Sequence, residues 1–94
     1  MLEREVEKKL VDGVRRMGGR TYKFVSPGND GVPDRIVVLP DTAPMFVELK
    51  TELGKLSSLQ KVQITRLEKL GQNVRVLYGA KDVENFLEEM WNGI

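Results

Sequence analysis

The residues best suited to chemistry are Pro33-Asp34 and, after thirteen intervening residues, Glu48-Leu49-Lys50. Residues two apart on a β-strand project to the same face. If this segment is a strand, Glu48 and Lys50 stand side by side, while Val47 and Leu49 point the other way. If the strand after Asp34 pairs with it as a hairpin, Asp34 lies across from Glu48. Two carboxylates and one ammonium then converge at the end of a largely apolar sheet. Burying such charges unpaired costs several kcal/mol per ion, so something must pair them. Two solutions fit the pattern. In one, Lys50 bridges Glu48 and Asp34 as a structural ion pair. In the other, the carboxylates hold a hard divalent cation, which binds a scissile phosphate and lowers the pKa of a bound water. Lys50 then orients that water or neutralises charge developing on the phosphate. A D…ExK string is short and leaves both open.

Composition narrows the chemistry. The chain has no cysteine and no histidine. Disulfides and thiolate metal sites are excluded, a reducing cytoplasm is the simplest setting, and the commonest general base is missing. Any metal must be held by oxygen, which favours Mg²⁺ or Mn²⁺. With 94 residues, 40% hydrophobic and 31% charged, the expectation is a single soluble domain, 1–94, with one modest core. No apolar run approaches the roughly 20 residues that span a bilayer, so no membrane partner is expected. Glu3, Arg4 and Glu5 follow the first two residues, so no signal peptide is expected. The net charge is only +1. It is uneven, with Asp82, Glu84, Glu88 and Glu89 near the end and most basic residues earlier. A basic side facing a phosphate backbone and a solvated mixed surface both fit that distribution.

The elements that must position these groups follow from periodicity. Leu2, Val6, Leu10, Val14 and Met17 predict a helix over 2–17, stopped by Gly18-Gly19. Strands are predicted over Thr21–Val25, Val32–Leu39 and Met45–Lys50, with turns at 26–31 and 40–44. Ser57-Ser58-Leu59-Gln60 matches a capping box and starts a helix to about Leu70, with Leu59, Val62, Leu67 and Leu70 as its buried side. Val74–Tyr78 is a further strand, and a last helix runs from about Asp82 to Trp91. The order is α-β-β-β-α-β-α, an α/β fold with a mixed sheet flanked by helices.

Two helices carry polar residues on their inward arcs. Glu3 and Glu7 fall within the apolar arc of the first helix, and Glu7 is the preferred additional metal or water ligand. Glu3 also suits the helix dipole, which accounts for it without a metal. Gln60 and Gln63 lie within the arc of the helix from Ser57. Gln60 can close the capping box or reach a metal-bound water or phosphate, and the two roles are compatible. In the loop 26–31, Ser26, Gly28 and Gly31 let a polyanion approach exposed backbone N–H groups, although the same residues make an ordinary strand connection. Lys23, Arg35 and Lys55 flank the site and are candidates for phosphate contacts.

The text around these residues resembles a known family. Tyr22-Lys23-Phe24-Val25-Ser26-Pro27-Gly28, Gly31-Val32-Pro33-Asp34-Arg35, Phe46-Val47-Glu48-Leu49-Lys50, Gly54-Lys55-Leu56-Ser57 and Leu59-Gln60 together resemble the VRR-NUC branch of the PD-(D/E)xK nucleases. The resemblance runs from Glu3 to about Leu87. It implies a small restriction-endonuclease-like fold and a Mg²⁺- or Mn²⁺-dependent phosphodiesterase acting on DNA. It further implies a catalytic set of Asp34, Glu48, Lys50, Gln60 and Glu7, with Glu3 as a second candidate for the first-helix acid. The implied metal ligands are Asp34, Glu48, Glu7 and the Leu49 carbonyl. Short stand-alone members resemble Holliday-junction resolvases, so the resemblance also implies a homodimer acting on branched DNA in a bacterial or phage-infected cytoplasm. Flaps, nicked duplex or linear duplex are alternative substrates, and an inactive docking module is the alternative to an enzyme.

Overall fold

A computed structural model describes residues 1–93. In chain order the elements are α1 (Glu3–Arg16), β1 (Arg20–Lys23), β2 (Arg35–Val38), β3 (Met45–Lys50), α2 (Ser58–Lys69), β4 (Val74–Tyr78) and α3 (Gly79–Gly93). The predicted order and element types are those observed. α1 begins with acids and ends with Arg15 and Arg16, each favourable to the helix dipole, and the Glu5 carboxylate accepts the N–H of Leu2 at 3.1 Å.

Several element ends shift by one to three residues from the sequence reading, and two starts move furthest. β2 starts at Arg35 rather than Val32. Pro33 has no N–H to give a ladder, and it is buried in the approach to the strand instead. α3 starts at Gly79, well before Asp82. Gly79 takes φ +74°, which turns the chain directly from strand to helix, and the Asp82 carboxylate folds back to accept the N–H of Tyr78 at 2.8 Å.

The sheet has the order β1-β2-β3-β4. The first two pairings are antiparallel, and β3–β4 is parallel, with α2 as the crossover. In the β2–β3 ladder Arg35 faces Val47 and Val37 faces Met45. Continuing that register by one residue sets Asp34 opposite Glu48. The alternation gives the sheet two unlike faces. Val37, Met45, Val47, Leu49 and Leu77 point to one face and pack against Val6, Leu10 and Val14 of α1 and Val83 and Phe86 of α3. α1 and α3 meet closely there, with Gly13 directly against the Leu87 side chain.

Glu48 and Lys50 lie on the other face, together with α2. The expected buried side of α2 is corrected here. Leu59, Val62 and Leu70 are 55%, 49% and 70% exposed, Leu67 is half-buried, and Ile64 is the buried residue of the helix. The inward stripe is Gln60, Gln63, Ile64 and Leu67. The cause is the surface beneath: a face carrying a carboxylate and an ammonium is met better by two amides than by leucines.

Candidate metal centre

β3 delivers Glu48 into the protein. The residue is 1% exposed. One oxygen, Oε2, accepts a hydrogen bond from Gln60 Nε2 at 3.0 Å and lies 3.8 Å from Lys50 Nζ. The other oxygen, Oε1, is buried with no hydrogen-bond partner among the described residues. A buried carboxylate oxygen without a partner is costly and calls for an explanation.

Asp34 sits just before β2, and its Oδ2 accepts the N–H of Leu49 at 2.9 Å. Glu3 comes from the first turn of α1. Carboxylate oxygens of Glu3, Asp34 and Glu48 lie within 4.8 Å of one another. At that spacing each ionised pair repels by about 3 kcal/mol or more with an effective dielectric of 20. The consequence is visible at Glu48. Burial, then the neighbouring Asp34 charge, raise its pKa to about 7 against the lowering by Lys50, with lesser raising contributions from the Glu3 charge and a hydrogen bond with Asp34.

These distances weigh against the purely structural ion pair. Lys50 is beyond hydrogen-bond range of Glu48 and brings one positive charge to three carboxylates. The donor set is all oxygen, and Glu48 has one oxygen, Oε1, with no partner among the described residues, which fits a hard divalent cation such as Mg²⁺ or Mn²⁺. Glu3, Arg4, Glu7, Lys23, Asp34 and Leu49 line a cleft of about 270 Å³ that gives access to the carboxylates.

The other residues singled out in the sequence divide into those brought to the cleft and those turned from it. Gln60 has both of its expected roles, since its Oε1 accepts the N–H of Ser57 at 2.9 Å in the capping box while its Nε2 holds Glu48. Lys50 lies beside Glu48 with its aliphatic stem against Gly54. Lys23 lines the cleft. Glu7 also lines it, but its carboxylate is bound by Arg35 Nε at 2.9 Å. Glu3, not Glu7, is the α1 acid gathered with Asp34 and Glu48. Strand parity carries the signal for this. Asp34 and Arg35 are adjacent, so Arg35 turns toward α1 and needs an acid there, and Glu7 is that acid. Arg35 is thereby held in an ion pair with Glu7 through its Nε. Ser26 closes its own turn, accepting from Asn29 Nδ2 at 2.8 Å. Gly28 and Lys55 are exposed.

The VRR-NUC domain profile matches residues 3–81. The chain belongs to the VRR-NUC family. It is 46% identical over 85 residues to a protein named "Putative nuclease p44" from Acyrthosiphon pisum secondary endosymbiont phage 1, covering 90% of each chain. A solved structure of a VRR-NUC domain superposes with a TM-score of 0.85 at 33% identity, covering 92% of this chain and 94% of the other. A second VRR-NUC domain protein, at 21% identity and a TM-score of 0.75, shares the fold over 94% of this chain and 86% of its own.

Proposed function

We propose that this VRR-NUC protein is a Mg²⁺- or Mn²⁺-dependent, structure-selective DNA endonuclease that hydrolyses phosphodiester bonds at branched DNA, with four-way junctions as the preferred substrate and a homodimer as the working form. The observation that carries the reading is the cluster of Glu3, Asp34 and Glu48, beside Lys50, in which Glu48 also has a buried oxygen with no partner among the described residues. Asp34, Glu48, Glu3 and the Leu49 carbonyl would hold the cation. When bound, the cation supplies Lewis-acid stabilisation of the phosphate and an activated water. The chain's own groups do the rest. Gln60 fixes Glu48 through Oε2 and leaves Oε1 free. Lys50 places an ammonium beside the carboxylates, where it neutralises charge developing on the phosphate. Lys23 lines the entrance and can meet a neighbouring phosphate, as can Lys55 and the backbone around Ser26 and Gly28. Glu7 acts through Arg35, as a positioning residue.

The dimer draws support from α2. Leu59, Val62 and Leu70 form an exposed row with Arg66 at three- and four-residue spacing, the repeat by which a helix packs against its own copy across a two-fold axis.

The test is cleavage of labelled four-way junction, flap, nicked and linear duplex DNA side by side, in Mg²⁺, Mn²⁺ and EDTA, with the wild type and Asp34→Ala. Junction cleavage lost in EDTA and in Asp34→Ala is expected. Equal cutting of linear duplex and junction overturns the branched-DNA preference, and cleavage that survives EDTA overturns metal dependence. No cutting and no heat on titrating Mn²⁺ marks the inactive docking module instead. Light scattering showing only a particle of 10.7 kDa, with and without DNA, removes the dimer.

A further inference from the structure

The loop between β1 and β2 is more than a connection. Gly31, at φ +90°, lies so close to α2 that a Cβ on it would be 2.6 Å from the carbonyl carbon of Leu59 and 2.8 Å from the Gln60 nitrogen. These are backbone atoms in the first turn of a helix, so they cannot swing aside as a side chain could. The peptide that Gly31 touches is the one that carries Gln60, whose amide holds Glu48. One helical turn further on, Gln63 Nε2 donates to the carbonyl of Asp30 at 3.4 Å, a second hold on the same loop. Asp34 follows directly, reached through the buried Pro33 and anchored on the Leu49 N–H. The loop is therefore seated on α2 at one end and joined to a carboxylate of the site at the other.

We infer that Gly31 and Gln63 are positioning residues for phosphodiester cleavage: by seating the loop on the first turn of α2, they fix Gln60 on Glu48 and set its place relative to Asp34. This rests on the nuclease reading of the site. The two residues touch neither the carboxylates nor the cleft, and a nonpolar Cβ at position 31 changes no charge. Their effect reaches the reaction through the Gln60 amide. A misplacement of about 1 Å near reacting groups costs on the order of 10²-fold in rate.

The experiment is a double-mutant cycle with two readouts. Gly31→Ala, Gln63→Ala, Gln60→Ala and the pairs with Gln60→Ala are measured for kcat and KM on the DNA that the wild type cuts best. The side-chain amide resonance of Gln60 is followed by NMR in each protein that retains it, and circular dichroism checks folding. Gly31→Ala is expected to lower kcat by about 10²-fold and Gln63→Ala by about tenfold, with KM within about threefold. The Gln60 amide resonance should shift in both. Neither should lower kcat much further once Gln60 is alanine, because the route is then already cut. Wild-type kcat in folded Gly31→Ala or in Gln63→Ala overturns the inference, as does a loss that adds fully to that of Gln60→Ala. If Gly31→Ala does not fold, the Gln63 cycle decides alone. If the wild type cuts no DNA, the nuclease reading fails, and the Gln60 resonance still decides whether the loop positions that amide.

Discussion

The two faces of the sheet use their side chains in opposite ways. Against α1 and α3 the interior is dry: Val6, Leu10, Val14, Val37, Val47 and Val83 are fully buried. Against α2 the principal buried group is the Glu48 carboxylate, held by an amide and flanked by an ammonium, while three of the helix's aliphatic residues face water. One face supplies stability. The other gives up burial to hold Glu48 beside Asp34 and Lys50, and on its own it costs stability. Functional sites are where a sequence departs from what its fold prefers. Here the departure centres on one side of the sheet, and α1 adds Glu3 to it and the Glu7–Arg35 pair near by.

The largest expected effect separates the faces outright. Asp34→Ala or Glu48→Ala should lower cleavage by about 10³-fold, the scale of a lost electrostatic group, without lowering the melting temperature. Cleavage within tenfold of wild type in either variant would erase the contrast. Next, Leu10→Ala on the dry face should cost about 2–5 kcal/mol of stability, with kcat per folded molecule unchanged well below its transition. A kcat loss without a fall in melting temperature would show that the faces are not separable.

Smaller, and sharper, is the pH dependence. The Glu48 pKa is raised from its ordinary value to about 7 by burial and by Asp34 and Glu3. Between the unfolded pKa and 7 the folded state binds more protons than the unfolded state, so stability of the metal-free protein falls as pH rises across that window. Below the window Glu48 is protonated in both states, and above it the loss is complete. Glu48→Gln should flatten this slope and raise stability at pH 8 by no more than about 3 kcal/mol, read by chemical denaturation in EDTA. Saturating Mg²⁺ or Mn²⁺ should remove the slope in the wild type but not restore it in the variant. The smallest effect belongs to the outside of α2. Val62→Ser should change the stability of the isolated monomer by about 0.5 kcal/mol or less, while in light scattering it shifts any dimer toward monomer. A loss of several kcal/mol in the monomer would mean that α2 is packed more like α1 than its exposure shows.

Much of this was legible in the sequence, and the gaps have physical causes. Periodicity and turn signals located every helix and strand, most plainly α1, which buries Val6, Leu10 and Val14 along one stripe. Periodicity failed on the outer residues of α2, because an aliphatic row reads as a core stripe wherever it faces, and the polar surface beneath the helix is made by another element. Gln60 and Gln63 were visible as inward polar residues. The pairing of Glu48 with Lys50 followed from strand parity. The choice between Glu3 and Glu7 was not settled, since both lie on one arc of α1 and only the position of Arg35 separates them. Gly31 gave no sign of its contact with α2, because glycine in a turn already has a sufficient local reason.

The parallel pairing of β3 with β4 has a consequence for assembly. The helix bearing Gln60 lies between those strands in the chain, so β3 gains its second neighbour only after the chain has passed through that helix and Val74–Tyr78 docks. A sheet built from residues up to Lys50 alone would leave Glu48 on an open edge strand, without the β4 partner that encloses it.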